Sequence, residues 1–295
     1  MGSYIPPEYL QYFEYLPDLQ KCANVFITFT PMFSYGTTCY GIYKKKTSLG
    51  FSIDICATML MASILRICYY TISPFEISLL RQSIVMIFIQ CILLKISLNY
   101  RPVNYNPELL TPLPIFKNEL NSYLPRRLSQ TSNITQHDIY QEDSMVLDFG
   151  KFVKSYIVIV FSHCLKFFDV YYKRPGLFWQ WVEEKNYWVF LVKFSLVFIT
   201  LTFIFINNEY YGSFIGILGL FIESLLPLPQ ILLLNRLKSI KNFKILLLLS
   251  WLGGDLTKLS YLLFGTNNIS IIFIIAALFQ MSLDIIIAFQ YFHFK

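Results

Sequence analysis

Charge is scarce in this sequence. Lys and Arg number 24 and Asp and Glu 18, so charged residues make up 14% of the 295, against roughly 25% in an ordinary soluble domain. A water-soluble chain of this length needs more charge to cover its surface, and that class is excluded. Histidine is rarer still. His137, His163 and His293 stand apart, with no metal-ligand spacing such as HExxH. No P-loop, GxSxG or dinucleotide-binding fingerprint occurs either. An enzyme is therefore not expected, nor a metal or other cofactor. The six cysteines (Cys22, Cys39, Cys56, Cys68, Cys91, Cys164) form no CxxC pair. They read as small apolar side chains rather than a zinc site or a disulfide framework. A cleavable leader is not expected either, because Glu8, Glu14 and Asp18 occupy the opening segment where an apolar run should follow a basic start. The first membrane span is expected to serve as an uncleaved signal.

Apolar surface is what the chain has in quantity. Hydrophobic residues are 55%, aromatic residues 18%, and mean hydropathy is +0.51. Such a composition excludes disorder for the bulk of the chain and names lipid as its solvent. A bilayer-crossing helix needs about 20 mostly apolar residues. Seven stretches meet this: 22–43, 51–72, 77–99, 188–206, 212–234, 244–264 and 269–291. A shorter apolar stretch at 152–168 is interrupted by Lys154, His163 and Lys166, which fits a helix lying in the membrane interface. The aromatic run from Arg174 through Trp181 to Trp188 reads as an interfacial belt.

The few charges are segregated. Residues 100–187 hold 10 of the basic and 9 of the acidic side chains. Basic residues also cluster after the first span (Lys44, Lys45, Lys46) and after the fifth (Arg236, Lys238, Lys241, Lys244). Positive loops face the cytosol. Seven spans with the N-terminus lumenal and the C-terminus cytosolic put all of these, and the polar middle, on one side. An eighth span at 152–168 would send the second basic loop to the lumen. No basic surface on a soluble domain remains, so nucleic acid is not expected as a partner.

The chain repeats itself at an offset of 192 residues. Lys44 meets Arg236, Lys46 meets Lys238, Phe51 meets Phe243, Leu60 meets Leu252, Arg66 meets Lys258 and Tyr69 meets Tyr261. Each half has three spans and one span separates them, so both halves have the same orientation. Parallel repeats of this kind relate by an axis along the membrane normal and place a site between the halves near the midplane. The expected fold is an all-α polytopic membrane protein. It comprises a lumenal N-terminus (1–21), a first three-helix repeat (22–99), a cytosolic loop (100–187) and a linker transmembrane helix (188–206). A second three-helix repeat (207–295) completes it.

Charged groups at membrane depth cost at least ~2.5–3.5 kcal/mol each, so they should face a cavity or a partner. Arg66, Glu223, Asp255, Lys258 and Asp284 are the deepest and are the candidates for lining a substrate path. Asp255 and Lys258 are three apart and share a helix face. Arg66 has Ser63 where the second half has Asp255. It therefore requires another partner, with Glu223, Asp284 or a lipid phosphate all open.

Span five reads Glu223-Ser-Leu-Leu-Pro227-Leu-Pro229-Gln230 and is followed by a basic loop and Phe243. This resembles the PQ-loop motif, and the 3+1+3 layout is similar to the PQ-loop and SWEET transporter superfamily. In the first half Thr37-Thr38 stand at the matching position, with Pro31 six residues earlier. The resemblance implies hinges at Pro31, Pro227 and Pro229, with Gln230 in the motif. Further stretches narrow it: Ser48-Leu-Gly-Phe-Ser52, Ile64-Leu-Arg66, Phe178-Trp-Gln-Trp181 and Trp251-x-x-Gly254-Asp255-x-x-Lys258. They resemble fungal PQ-loop proteins that antagonise phospholipid flippases, with their animal homologues. That branch implies an energy-independent scramblase of phosphatidylserine and phosphatidylethanolamine in Golgi and endosomal membranes, with phospholipids as partners. Two other classes remain open: a proton-coupled amino-acid exporter with Asp284 or Asp255 as proton carrier, and a non-transporting regulator of trafficking that acts through the cytosolic loop.

Overall fold

Backbone N–H and C=O groups find no water in a bilayer core, so apolar runs of this length are expected to close on themselves as helices. A computed structural model describes residues 17–75, 77–102, 105–114, 142–240, 243, 245–264 and 271–294. Helices dominate it. They are α1 (Pro17–Lys45), α2 (Asp54–Ile72), α3 (Ile77–Asn99), α4 (Glu142–Phe168), α5 (Glu184–Ile204), α6 (Glu209–Ser224), α7 (Leu228–Leu237), α8 (Ile245–Phe264) and α9 (Ile271–His293). Among the described residues, Asp54–Ile72, Leu79–Asn99, Glu184–Ile204, Glu209–Leu237 and Ile274–His293 are each long and apolar enough to cross a membrane.

Helices α6 and α7 are one apolar stretch bent at residues 225–227. The cause is local. Pro227 and Pro229 lack the N–H groups that an α-helix would direct to the carbonyls of Glu223 and Leu225. Leu226 N donates to Glu223 O at 3.0 Å and Leu228 N to Leu225 O at 3.1 Å instead. The turn tightens to i→i−3 bonds and the chain then resumes as α7. Pro31 behaves differently, because α1 runs through it without interruption and Ser34 Oγ donates to the Pro31 carbonyl at 3.3 Å.

The chain divides into two compact units, residues 1–105 with 183–295, and residues 106–182. In the larger unit α3 packs against both α1 and α2, and α9 packs against both α8 and the α6–α7 pair. The third helix of each triplet is thus its middle one. The triplets meet along two seams, α2 with α6 and α1 with α8, and the sequence repeat exchanges one seam for the other. The first seam is tight. Gly212, Gly216 and Gly219 lie on one face of α6 and let α2 approach. A Cβ on Gly212 would stand 2.9 Å from Ile72 Cγ2, and one on Gly216 would stand 3.1 Å from the Tyr69 ring. Small residues at i, i+4 and i+7 are the usual means of closing helices in lipid, where dispersion rather than water exclusion drives contact. Helix α5 adds Phe194 and Phe198 to the Leu65, Cys68 and Ile215 core of this seam.

One end of the bundle is tied by polar contacts. Lys46 Nζ donates to the Tyr100 hydroxyl at 2.7 Å and lies 4.1 Å over the Tyr43 ring. Arg101 donates to the Tyr187 hydroxyl at 2.7 Å, and Lys95 and Trp188 both donate to Glu184 at 2.7 Å.

The smaller unit is built on α4, which covers 152–168 and begins further upstream. Its exposed side chains include Ile157 and Phe161. Buried Arg174 caps the C-terminal end of α4, donating Nε to the Phe167 carbonyl at 2.6 Å, where a helix end carries unpaired carbonyls and partial negative charge. The short strands β1 (Thr111–Pro112) and β2 (Tyr172–Lys173) pair in parallel beside it. Phe178, Trp179 and Trp181 pack edge-on and tilted against one another in a cluster.

The seam geometry gives a paired expectation. Gly216→Leu drives a side chain into Tyr69 and costs about 1–3 kcal/mol, seen as a lower melting temperature in detergent. Gly36→Leu on α1, where an added Cβ meets nothing within 4 Å, leaves the melting temperature unchanged.

Candidate functional site

Polar side chains that cannot be left alone in lipid collect between the triplets. Arg66 projects from α2 and forms an ion pair with Glu223 of α6, both half-buried. Of the partners open to Arg66, the structure brings together this one. Glu223 is positioned by the last turn of α6, one step before the proline-tightened turn. The pairing offsets part of the penalty that either charge would carry alone in an apolar span.

A second group joins α8 and α9. Gln280 Nε2 donates to Asp255 Oδ1 at 2.8 Å. Asp284 lies four residues beyond Gln280, on the same face of α9, and is fully buried at 0% exposure. Its carboxylate neighbours that of Asp255. Among the described residues no N–H or O–H donates to either Asp284 oxygen. The side chain of Lys258 lies outside the described residues, so its expected pairing with Asp255 does too; its backbone stands in α8, three positions on.

Between these groups, Trp251 Nε1 of α8 donates to the Tyr35 hydroxyl of α1 at 2.9 Å, with both residues buried. Asp284 and Glu223 both lie within electrostatic range of that hydroxyl. Sequence reasoning missed Tyr35 altogether. Trp251 entered it only as part of a motif string. An indole or phenol in an apolar run is no signal until its partner is known.

Gln230 is completely buried and uses both ends of its amide. Nε2 donates to the Gly50 carbonyl at 3.0 Å, and Oε1 accepts from Ser52 N at 3.2 Å. The motif glutamine of the second half therefore clamps the loop that leads into α2 of the first. Gly50 adopts φ +91°, a conformation open to glycine at little cost, and this turns its carbonyl to the amide. Thr38, the counterpart of Gln230, instead bonds within its own helix to the Ser34 carbonyl. The two halves are not equivalent at the motif.

This arrangement has no nucleophile–base pair and no cluster of three or more metal-ligating side chains among the described residues. What it offers, among the described residues, is the half-buried Arg66–Glu223 ion pair and the buried carboxyl groups of Asp255 and Asp284. That chemistry suits a zwitterionic or amino-bearing group passing through an apolar medium.

Comparison with known proteins bears on this. The model of the PQ loop repeat matches residues 211–271. The chain is 50% identical over 299 aligned positions to Scramblase ANY1 of Saccharomyces cerevisiae, covering 95% of this chain and 73% of that protein. No solved structure matches the chain.

Two stability measurements check the geometry. In a double-mutant cycle, Arg66→Met with Glu223→Gln loses less stability than the two single changes summed, with a coupling of about 1–3 kcal/mol. Gln230→Ala leaves the Gly50 carbonyl and the Ser52 N–H without partners, at about 1–3 kcal/mol for each buried group. Its melting temperature in detergent should fall accordingly.

Proposed function

The chain belongs to the PQ-loop repeat family of membrane proteins, and from that membership we propose that it is a phospholipid scramblase that needs no energy source. It is an integral membrane protein rather than an enzyme. The observation that carries the proposal is 50% identity to a scramblase along nearly the whole chain. The buried charges supply a physical means. A headgroup crossing hydrocarbon alone loses its hydration. One that crosses beside Arg66, Glu223, Asp255, Lys258 and Asp284 exchanges water for fixed polar partners while its acyl chains stay in lipid.

In this reading seven spans form two parallel three-helix repeats around α5, with the N-terminus lumenal and the C-terminus cytosolic. Arg66 and Lys258 receive the lipid phosphate. A guanidinium offers a fork of donors to phosphate oxygens, so phosphate takes the place of Glu223 on Arg66. The released Glu223, with Asp255, then meets the amine of phosphatidylserine or phosphatidylethanolamine. The tightened turn at Pro227 and Pro229, and Pro31 in α1, act as hinges about which Gln230 holds and releases the Gly50 loop. Scrambling of this kind dissipates the asymmetry that flippases build, in Golgi and endosomal membranes.

The contact between Asp255 and Asp284 favours one other reading. Adjacent buried carboxylates are the chemistry of a proton carrier, and a proton-coupled amino-acid exporter would use them. That reading requires saturable uptake of a soluble amino acid driven by a pH gradient.

Purified protein in liposomes containing fluorescent phosphatidylserine or phosphatidylethanolamine is expected to flip lipid without ATP. Arg66→Ala and Lys258→Ala should slow it. Wild-type liposomes that flip no faster than protein-free ones would contradict the proposal.

A further inference from the structure

The two seams between the triplets are related by the repeat, yet they are built differently. At α2–α6 the glycines touch the facing helix and α5 covers the outside. At α1–α8 the glycines face open space: a Cβ added to Gly36, Gly253 or Gly254 would meet no atom within 4 Å. A groove of about 580 Å³ opens there, lined by Met32, Phe33, Gly36 and Tyr40 of α1 and by Leu246 of α8. These large side chains are strongly exposed, Phe33 at 67% and Tyr40 at 64%. Gly253 lies seven residues beyond Leu246, on the same face of α8. Tyr40 and Leu246 share the groove, and Tyr35 is bonded to Trp251. The antiparallel register that these contacts set brings Gly253 and Gly254 level with Phe33 and Met32.

We propose that the α1–α8 seam is the lateral path by which a bilayer phospholipid reaches the polar residues between the triplets. This rests on the scrambling reading and adds its route. The occupant follows from what surrounds the seam. Helices α1 and α8 are spans in that reading, so the medium outside the groove is acyl chain, and the lining is apolar apart from the hydroxyls of Thr37 and Tyr40. At the end of α1 stand Lys44 and Lys45, whose charge is complementary to a lipid phosphate. On the inner side the Tyr35–Trp251 bond closes the seam, and Asp284 and Glu223 lie within electrostatic range beyond it. Asp255 follows Gly254 directly and is buried. A lipid with its tails in the groove and its headgroup past Tyr35 meets apolar and polar partners in the order that an amphiphile requires. The α2–α6 seam has no such space.

The test uses the full chain in liposomes that carry fluorescent phospholipid, comparing wild type, Gly36→Trp, Gly253→Trp and Leu196→Trp. Leu196 is exposed on α5, a helix that packs on α2, and serves as the control for a bulky side chain in lipid. Both seam variants should slow flipping by about ten-fold or more, with melting temperatures unchanged and the Leu196 variant at the wild-type rate. In a second arm, which needs no substitution, wild-type protein is irradiated in vesicles containing phosphatidylcholine with a photoactivatable acyl chain. Adducts are expected on the α1 peptide around Phe33 and Tyr40 and on the α8 peptide around Leu246. Seam variants that flip lipid at the wild-type rate would overturn the route while leaving scrambling intact. A wild-type chain that forms seam adducts but flips no lipid would overturn the proposed function and leave the seam as a lipid-binding site. Adducts confined to other faces, or disulfide-linked dimers through Phe33→Cys, would overturn the lipid as occupant.

Discussion

A charge placed in hydrocarbon must find a partner, and the larger unit of this protein is organised by that requirement. Arg66 and Glu223 sit on different triplets, and each supplies what the other needs. Their ion pair joins α2 to α6, both in stretches long and apolar enough to span a membrane, where either charge alone would be costly. The same demand explains why Gln280 reaches Asp255, why Trp251 reaches Tyr35, and why Gln230 spends both ends of its amide on the Gly50 loop. Three of these four links join the two halves of the chain. In lipid, where apolar contact gives little preference for one neighbour over another, such links decide which helix lies beside which.

The prolines and glycines modulate that frame. Missing N–H groups at Pro227 and Pro229 force a tighter turn beside Glu223, so the ion pair and the bend of the α6–α7 stretch are adjacent features. Glycine appears on both seams with opposite effect. On α6 it removes bulk so that α2 can close in, and on α1 and α8 it leaves space. A near-symmetric repeat therefore yields one sealed side and one open side, and α5 lies on the sealed one. This asymmetry is what a lateral path for an amphiphile needs, since a channel closed on both sides would have to admit acyl chains as well as headgroups.

Much of the helical layout was legible in the sequence, because a run of twenty apolar residues has few other solutions. The helices fall on the apolar runs to within a few residues at most ends. The bend was legible from Pro227 and Pro229, whose missing donors act locally. Pairings across the bundle were not. Arg66 showed that it required a partner, but span composition does not say whether Glu223, Asp284 or a lipid phosphate supplies it, and only packing brings Glu223 to it. Tyr35 was invisible, because a tyrosine in an apolar run looks like any lipid-facing aromatic until its hydroxyl is seen to meet an indole. The open seam was also beyond reach, since Gly36 and Gly216 are the same residue in similar surroundings and differ only in what stands opposite them.

In the proposed route lipid enters one seam and not the other. The most direct measurement is a cryo-electron-microscopy map of the full chain in phospholipid nanodiscs, read for acyl-chain density at the two junctions. The account predicts elongated lipid density between α1 and α8, reaching Gly36 and Gly253, with only protein between α2 and α6. A map with α1 and α8 in direct side-chain contact along their length, or with lipid lodged at α2–α6 instead, would contradict it.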